Sequence, residues 1–381
     1  MKVIRFGLLA IIGLGVGLPA AGGITYTCDP SINSDAYSNL CATLNGTTGT
    51  AFAGGLAGIY NSTFTNANAT IYISFNSAVG LGESTFGVGA IVPYSTYQTQ
   101  LQTESTDAAK TTLPASEPSL YSGGQILLTN ALENALGFAG NEGVEFNASN
   151  PGTGFAGSVC SNPGNGAVVV AGPTACYNGI ITLDTPANLA SSLGQGYTYR
   201  GLGGSTTGTT NNYDIFSVIE HETDEVLGTA SCVTTSTSPI TDACATGPHP
   251  GFENAAAVDL FRYSAPGTRT FGTVGGTAYF SANGGTTDLY GNTYNTSDNG
   301  DDWADFTNNC TFVQDGVGCL NQSFDITTDG PGNTAGPEEA ILNAVGYNLQ
   351  QTAPEPGTLG LLGVSLVALA IQGKRLHRNK K

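Results

Sequence analysis

Positive charge is almost absent from the middle of this chain. The 381 residues contain 11 Lys and Arg against 29 Asp and Glu, and seven of the 11 basic residues lie in the first five or last eight positions. The interior therefore keeps only four basic residues against 28 carboxylates: Lys110, Arg200, Arg262 and Arg269. No basic patch of such a chain could neutralise several phosphates, which excludes a nucleic-acid binder.

The composition indicates an exported protein. Charged residues make up 10% of the chain, against roughly 25% in ordinary soluble domains, so Ser, Thr, Asn and the 54 glycines must cover the surface. The hydrophobic content of 40% is still sufficient for a core.

The N-terminal end, residues 1–23, has the layout of a cleavable signal peptide. Lys2 and Arg5 precede an apolar run over 6–18, and small residues follow at 19–22. A membrane anchor is the alternative, but the run is short and interrupted by glycine.

The C-terminal end, residues 353–381, has three ordered parts. Pro354, Glu355 and Pro356 precede an apolar run over 358–371 and a basic tail. This order resembles the PEP-CTERM sorting signal of Gram-negative bacteria. The resemblance implies processing by an exosortase-type enzyme, transient anchoring in the inner membrane and a final location at the cell surface or outside the cell. A plain transmembrane C-terminal anchor is the alternative.

The eight cysteines fall into four sequential neighbours without a C-x-x-C pair. An even number in an exported chain favours disulfides over a thiolate metal site, with free buried thiols as the alternative. Sequential pairing is the simplest prediction: Cys28–Cys41, Cys160–Cys176, Cys232–Cys244 and Cys310–Cys319.

The body, residues 24–352, predicts a single α+β domain. Strands are expected at 69–75, 167–171 and 179–183, where β-branched or alternating apolar residues cluster. Helices are expected at 50–60, 94–105, 125–137 and 211–228, followed by a glycine-rich irregular half and a short closing segment over 337–349.

The stretch 211–228 contains the residues most indicative of a metal-binding or catalytic site. It predicts a helix with Asp214 as its N-cap and Gly228 as its stop. The buried side would be apolar: Ile215, Phe216, Val218, Ile219, Val226 and Leu227. Between these residues stand His221 and four carboxylates: Glu220, Glu222, Asp224 and Glu225. Like charges four residues apart destabilise a helix, and a bound cation would offset that repulsion. A solvated acidic face on a surface helix is the alternative.

His221 and Glu225 stand four residues apart and can share one metal ion. The spacing is that of H-E-x-x-H zinc peptidases, with Glu225 in place of the second histidine. Zinc accepts carboxylate oxygen, and Glu222 would be the general base toward metal-activated water. Ser231 occupies the position of a third metzincin histidine, so a third ligand must come from elsewhere. The candidates are Asp242, His249, Glu253 and Asp259.

Four motifs follow in order along the body: HETDEVLG at 221–228, DLFRYSAPG at 259–267, YFSANGG at 279–285 and DWA at 302–304. Together they resemble a family of exported bacterial, zincin-like metalloproteases that often carry PEP-CTERM tails. The resemblance implies a zincin-like (metzincin-like) domain with a mixed sheet and a central active-site helix. It also implies zinc, a protein or peptide substrate and Asp259 as the third ligand, with His249 as the alternative. The chain departs from the family at Thr229, where Arg is expected.

Two further groups are candidates for function. Arg262 or Tyr263 could stabilise the oxyanion of a tetrahedral intermediate; the alternative is that Arg262 neutralises a nearby carboxylate. A cluster of aspartates could hold Ca²⁺, although a solvated turn is the simpler interpretation: Asp298, Asp301, Asp302 and Asp305.

The sequence thus predicts an exported zinc-dependent endopeptidase. The alternative is a non-catalytic cell-surface or matrix protein on a degenerate zincin scaffold, because H-E-x-x-E replaces H-E-x-x-H. A carbohydrate-binding role is a third, weaker prediction that rests on the Asn-, Gly- and Tyr-rich surface.

Overall fold

The run ATIYISF at Ala69–Phe75 forms the centre of the main sheet in the computed structural model of the protein. The structure describes these residues: 23–34, 37, 39–47, 54–77, 79–116, 124–138, 142–146, 156–161, 175–198, 211–233, 255–271, 276–291, 293–297, 302–307 and 310–350.

The strands have the following bounds: β1 Ile24–Cys28, β2 Ala69–Phe75, β3 Gly82–Phe86, β4 Val88–Pro93, β5 Gln125–Thr129, β6 Glu142–Phe146, β7 Ala156–Ser161, β8 Cys176–Tyr177, β9 Gly179–Leu183, β10 Gly196–Thr198, β11 Asn212–Asp214, β12 Ala255–Ala256, β13 Arg262–Ala265, β14 Thr268–Arg269 and β15 Tyr279–Phe280.

The α-helices are as follows: α1 Leu40–Leu44, α2 Gly55–Thr63, α3 Tyr94–Glu104, α4 Asn130–Ala135, α5 Pro186–Leu193, α6 Ile215–Asp224 and α7 Pro337–Val345. A π-helical turn, Glu225–Thr229, continues α6. Short 3₁₀ turns occur at Pro30–Ser34, Ala108–Thr112, Val258–Phe261 and Leu289–Gly291. Helices and several separate sheets make this an α+β protein.

The main sheet has the strand order β1-β2-β9-β3. β1 and β9 run parallel to β2, whereas β3 runs antiparallel to β9 and forms an edge. Ile71, Tyr72 and Ile73 in β2 are completely buried because both faces of the central strand are covered. The antiparallel edge strand borders the candidate site described below.

Four smaller sheets accompany the main sheet. Their strand orders are β12-β5-β4, β7-β6-β8, β14-β13-β15 and β10-β11. After α6 the described strands are no longer than four residues, as expected for the glycine-rich half.

Several predicted elements are confirmed. The strands at Ala69–Phe75 and Gly179–Leu183 have the predicted bounds, and the helix predicted over 94–105 is Tyr94–Glu104. The helix expected over 50–60 begins later, at Gly55. The strand predicted at 167–171 lies outside the described residues.

Two predicted helices begin as strands. The segment 125–137 splits into β5 and α4, because the apolar run of β5 pairs with β4 on one side and β12 on the other. Thr129 then caps α4 through its Oγ1, which accepts a hydrogen bond from the amide of Leu132 at 3.2 Å. The segment 211–228 likewise opens with β11, which pairs with β10, and the helix begins only at Ile215.

Disulfides link sequential cysteines. The structure joins Cys28 to Cys41, Cys160 to Cys176 and Cys310 to Cys319. Cys232 is also disulfide-bonded, and its predicted partner Cys244 lies outside the described residues.

The chain divides into two compact units, Met1–Asn348 and Leu349–Lys381. Within the described ranges, no helix is long and apolar enough to cross a bilayer. The apolar runs predicted to be the signal peptide and the sorting segment, 6–18 and 358–371, fall outside those ranges.

Two glycines allow α6 and its π-helical extension to lie close against the main sheet. A Cβ at Gly82 in β3 would lie 2.9 Å from Cγ1 of Val218 and 2.6 Å from Oε1 of Glu222. A Cβ at Gly179 in β9 would lie 2.3 Å from Cγ2 of Val226. Both positions therefore require glycine for close packing rather than for backbone conformation.

We expect Gly179→Ala to lower the free energy of unfolding by about 1–3 kcal/mol, because the added methyl group overpacks the contact with Val226. Gly80→Ala is the matched control, since a Cβ there meets nothing within 4 Å, and it should change stability by less than about 0.5 kcal/mol. Urea unfolding measures both. Equal midpoints for the two variants would contradict the packing argument.

Candidate functional site

The helix α6 is built as the sequence predicts at its start. Asp214 is the N-cap, and its carboxylate accepts hydrogen bonds from the amides of Phe216 and Ser217 at 3.4 and 3.3 Å. The six apolar residues predicted to face the core are all buried. Glu220, Glu222 and Asp224 are buried as well, so the alternative of a solvated acidic face on a surface helix is wrong.

The end of the helix departs from regular α geometry. The α-helical part stops at Asp224, and a π-helical turn carries the chain through Glu225 to Thr229. Gly228, the predicted stop, has a φ of 124°, which L side chains rarely adopt. Irregular turns of this kind within helices occur frequently at functional sites.

A histidine and two carboxylates converge beside this turn. Nε2 of His221 lies 3.7 Å from Oε1 of Glu225 and 3.6 Å from Oδ1 of Asp305. The three ligand atoms all lie within 4.8 Å of one another. This is the only group of three or more such residues with metal-binding geometry in the part of the chain that the structure describes.

Neighbouring groups hold each of the three side chains in place. Nδ1–H of His221 donates to the carbonyl oxygen of Val313 at 2.9 Å, which leaves the lone pair of Nε2 pointing to the cluster. Ser84 Oγ donates to Oε2 of Glu225 at 2.5 Å, and Gln314 Nε2 donates to Oδ1 of Asp305 at 2.9 Å. The cluster is therefore oriented by hydrogen bonds of the kind that accompany metal ligands.

The loop between Cys310 and Cys319 supplies two of these supports. It carries both the Val313 carbonyl and the Gln314 amide, and the disulfide closes it. Thr229 at the end of the π turn donates to Oε1 of Gln314 at 3.2 Å. Thr229, at which the chain departs from the resembled family, thus orients the Gln314 side-chain amide that donates to Asp305.

The cluster lies in a cleft of about 970 Å³ that is bordered by β3, α6 and the 310–319 loop. Glu222 lines the cleft next to His221 and is 6% exposed. Burial raises the pKa of Glu222 well above the usual range, and the nearby carboxylates of Glu225, Asp305 and Glu83 raise it further. Burial also raises the pKa of Asp302, and the nearby carboxylates of Asp305 and Glu225 raise it further.

Asp259, the third ligand implied by the resemblance, does not join the cluster. It is 1% exposed and accepts hydrogen bonds from Ser231 Oγ at 2.5 Å and from the amides of Cys232 and Ala256 at 3.0 and 2.8 Å. Its carboxylate thus joins two chain segments, and Asp305 occupies the third position instead. His249, the alternative ligand, lies outside the described residues, as do Asp242 and Glu253.

Arg262 and Tyr263 are not among the described residues that line the cleft, so the structure does not bring either of these oxyanion candidates to the His221 cluster. Arg262 is buried and donates to the carbonyl oxygens of Trp303 and, at 2.9 Å, Asn295. Its guanidinium also lies over the ring of Tyr294, 5.2 Å from the centroid. Asp259 is an electrostatic neighbour of Arg262, as the neutralising alternative predicted.

The aspartate cluster considered for Ca²⁺ is only partly described. Asp302 accepts hydrogen bonds from the amides of Ser231 and Ala304 at 3.0 and 2.6 Å, and its own amide donates to Oδ2 of Asp305 at 3.0 Å. Asp298 and Asp301 lie outside the described residues. The described pair belongs to the cleft beside His221 rather than to a separate site.

The sequence did not predict that Asp305 would lie beside His221 and Glu225, or that Ser84 and Gln314 would donate hydrogen bonds to this group. Asp305 lies 80 or more positions from the helix, in an irregular segment without periodicity. No sequence pattern distinguishes Ser84 and Gln314 from the other polar residues of the chain. The only available signal was the acidic cluster around the DWA motif.

A second layer of contacts holds α6 from behind. Tyr60 donates to Oδ1 of Asp224 at 2.7 Å, and Tyr26 shares a hydrogen bond with Thr223 Oγ1 at 3.0 Å. Burial raises the pKa of Asp224 to about 8. Tyr60 thus holds Asp224, which does not line the cleft, whereas the buried Glu222 does.

Tyr60→Phe should lower the free energy of unfolding by about 2 kcal/mol, because it removes the donor to a buried carboxyl group. Tyr26→Phe makes the same chemical change opposite a neutral hydroxyl and should lower the free energy by about 1 kcal/mol. Chemical denaturation of the two variants compares them directly. A larger loss in Tyr26→Phe would contradict the proposed role of Tyr60.

Comparison with known proteins identifies one segment. The profile of the PEP-CTERM protein-sorting motif matches residues 352–375. This motif marks exported proteins that are processed at the C terminus and implies recognition by an exosortase-type sorting enzyme. No curated protein and no solved structure matches the chain.

Proposed function

We propose that this protein is an exported zinc-dependent endopeptidase on a zincin-like scaffold. The convergence of His221 Nε2, Glu225 Oε1 and Asp305 Oδ1 in an open cleft carries the proposal. Glu222 lines the same cleft directly beside His221, as the resemblance to zincin-like metalloproteases implies for a general base.

The donor set fits zinc. Bonds of about 2.0–2.1 Å to nitrogen and oxygen separate two tetrahedral ligand atoms by about 3.4 Å, close to the 3.6 and 3.7 Å between His221 and the two carboxylates. The carboxylates of Glu225 and Asp305 would balance the charge of a divalent cation. The cation would in turn offset the repulsion between these like charges. Three protein ligands leave the fourth position open, as in catalytic rather than structural zinc sites.

The metal ion and Glu222 would have separate roles in peptide hydrolysis. Held by His221, Glu225 and Asp305, a zinc ion would polarise the peptide carbonyl and lower the pKa of water. Glu222 takes the proton of the attacking water and delivers it to the leaving amine. His221 and Glu225 are held in orientation by Val313 and Ser84.

The edge strand β3 offers a place for an extended substrate. Gly82, Glu83 and Ser84 line the cleft, and β3 pairs with β9 along one edge and with no other described strand along the second. An extended peptide could add to this second edge through main-chain hydrogen bonds. The scissile bond would then cross the cleft above α6.

The sorting motif supports a location at the surface of a Gram-negative cell or outside it. One feature favours a second candidate function, a non-catalytic surface protein on the same scaffold. Glu225 stands where H-E-x-x-H peptidases have a second histidine, and a carboxylate makes the bound cation a weaker Lewis acid.

Zinc content and proteolysis test the proposal. The purified full chain should bind one zinc ion and cleave casein, whereas Glu222→Gln should retain zinc and lose at least about 100-fold in cleavage rate because it lacks the general base. Glu104→Gln, an exposed substitution outside the cleft, is the matched control and should leave the rate unchanged.

Two outcomes would count against this function. A wild-type chain without zinc would exclude the peptidase mechanism. Stoichiometric zinc without cleavage of any protein substrate would instead favour the non-catalytic alternative.

Zinc affinity also identifies the third ligand. Asp305→Asn should weaken zinc binding on the order of 100-fold, since it weakens a ligand within the cluster. Asp259→Asn should keep the affinity within about threefold while lowering stability by about 1–3 kcal/mol, because it disturbs the buried contacts with Ser231, Cys232 and Ala256. Competition with a fluorescent chelator measures the affinity, and the reverse ranking would restore Asp259 as the ligand.

A further inference from the structure

We propose that the cleft selects cationic peptides, with a Lys or Arg side chain bound beside the His221 cluster by Asp315 and Glu83. This inference rests on the proposed peptidase function and names its substrate class. It depends on the charge of the cleft wall and on one carboxylate oxygen without a partner.

The cleft wall is strongly acidic. Seven carboxylates line it, and none of its described lining residues is Lys or Arg. Glu225 and Asp305 would be neutralised by a divalent cation, and Glu222 faces the reacting bond. Carboxylates such as Asp315 and Glu83 remain to attract a positive side chain.

Asp315 has one oxygen that the protein itself leaves without a partner. Its Oδ2 accepts hydrogen bonds from the amides of Thr311 and Phe312 at 2.6 and 3.1 Å, which fix the side chain within the disulfide-closed loop. Its Oδ1 is buried and has no hydrogen-bond partner among the described residues. A buried acceptor without a donor is costly. Because Asp315 lines the cleft, a small movement of its side chain would let an ammonium or guanidinium group in the cleft donate to this oxygen.

Glu83 stands at the mouth of the same cleft. Its side chain is exposed, on the edge strand β3, and it is near enough to Glu225 to feel its charge. A peptide that extends along β3 would pass this carboxylate. The stem of a long basic side chain could pack on the apolar parts of the wall, such as Val317, which is 40% exposed.

The lysine and arginines of the body that the structure describes have partners other than these acids, and Arg200 lies outside the described residues. Lys110 donates to the carbonyl oxygens of Gln102 and Ser105, and Arg269 donates to those of Leu260 and Thr112. Arg262 is buried against the carbonyl oxygens already described. Within the described part of the chain, no lysine or arginine lines the wall, so a basic side chain of the substrate can pair with these acids.

Peptide binding to a non-hydrolysing variant tests the proposal without requiring turnover. The full chain with Glu222→Gln would be titrated with two fluorescein-labelled peptides that differ at one residue, lysine or acetyl-lysine, and anisotropy would report binding. The two side chains have the same stem, so the comparison isolates the charge. We expect the lysine peptide to bind on the order of tenfold more tightly.

Three further substitutions locate this preference. Glu83→Gln should reduce it about two- to fivefold, as expected for an exposed pair, and Asp315→Asn should remove most of it. Glu104→Gln makes the same charge change on the exposed face of α3 and should leave the preference intact. If Asp315→Asn disturbs the loop, the result for Glu83→Gln still tests the inference, because Glu83 is exposed on β3.

Equal binding of the two peptides, no binding of either, or a preference that survives both cleft substitutions would overturn the inference. An equal loss in Glu104→Gln would also overturn it, because the attraction would then belong to the whole surface. A retained lysine preference in a chain that binds no zinc would overturn the peptidase function alone. The two failures are therefore distinguishable.

Discussion

Buried carboxylates without basic partners are the constraint on which this fold depends. In the described interior, main-chain amides and hydroxyl groups donate hydrogen bonds to these carboxylates, and one oxygen each of Asp224, Asp315 and Glu338 has no hydrogen-bond partner among the described residues. The buried Asp259 accepts hydrogen bonds from the amides of Cys232 and Ala256. The half-buried Asp329 accepts hydrogen bonds from those of Asp325 and Val313 at 2.7 and 3.1 Å. Because each acid joins two segments, carboxylate-to-amide hydrogen bonds organise the irregular half of the chain, where strands are short.

The same constraint separates the structural from the chemical residues of α6. Glu220 accepts a hydrogen bond from the amide of Ile326 at 3.1 Å, and Asp224 accepts one from Tyr60. Both acids therefore serve to attach the helix to its surroundings. Within the acidic run 220–225, His221, Glu222 and Glu225 line the cleft, so a run with four acids offers a small and well-defined set of reactive groups.

Local sequence signals predicted local structure well and long-range convergence poorly. The apolar spacing of α6 and the capping aspartate were sufficient to identify the helix, because both depend on neighbours within four residues. The split of 125–137 into β5 and α4 was missed because pairing with β4 and β12 overrides an apolar run that suits either state.

The error at Asp259 has a physical origin. An aspartate can bind a metal ion or accept hydrogen bonds from main-chain amides, and the sequence alone does not distinguish the two. Asp305 reaches His221 through an irregular segment held by Gln314, and no periodic pattern records such a contact. The grouping of His221 with Glu225 was therefore predictable from their spacing, whereas the approach of Asp305 to them was not.

The disulfide between Cys310 and Cys319 links the completion of the site to where the protein resides. Thiols stay reduced in the cytosol and become oxidised after export. Before that step, the loop that supports His221 and Asp305 is closed only by weaker contacts. A chain that is still inside the producing cell would thus lack the covalent closure of the loop that supports His221 and Asp305.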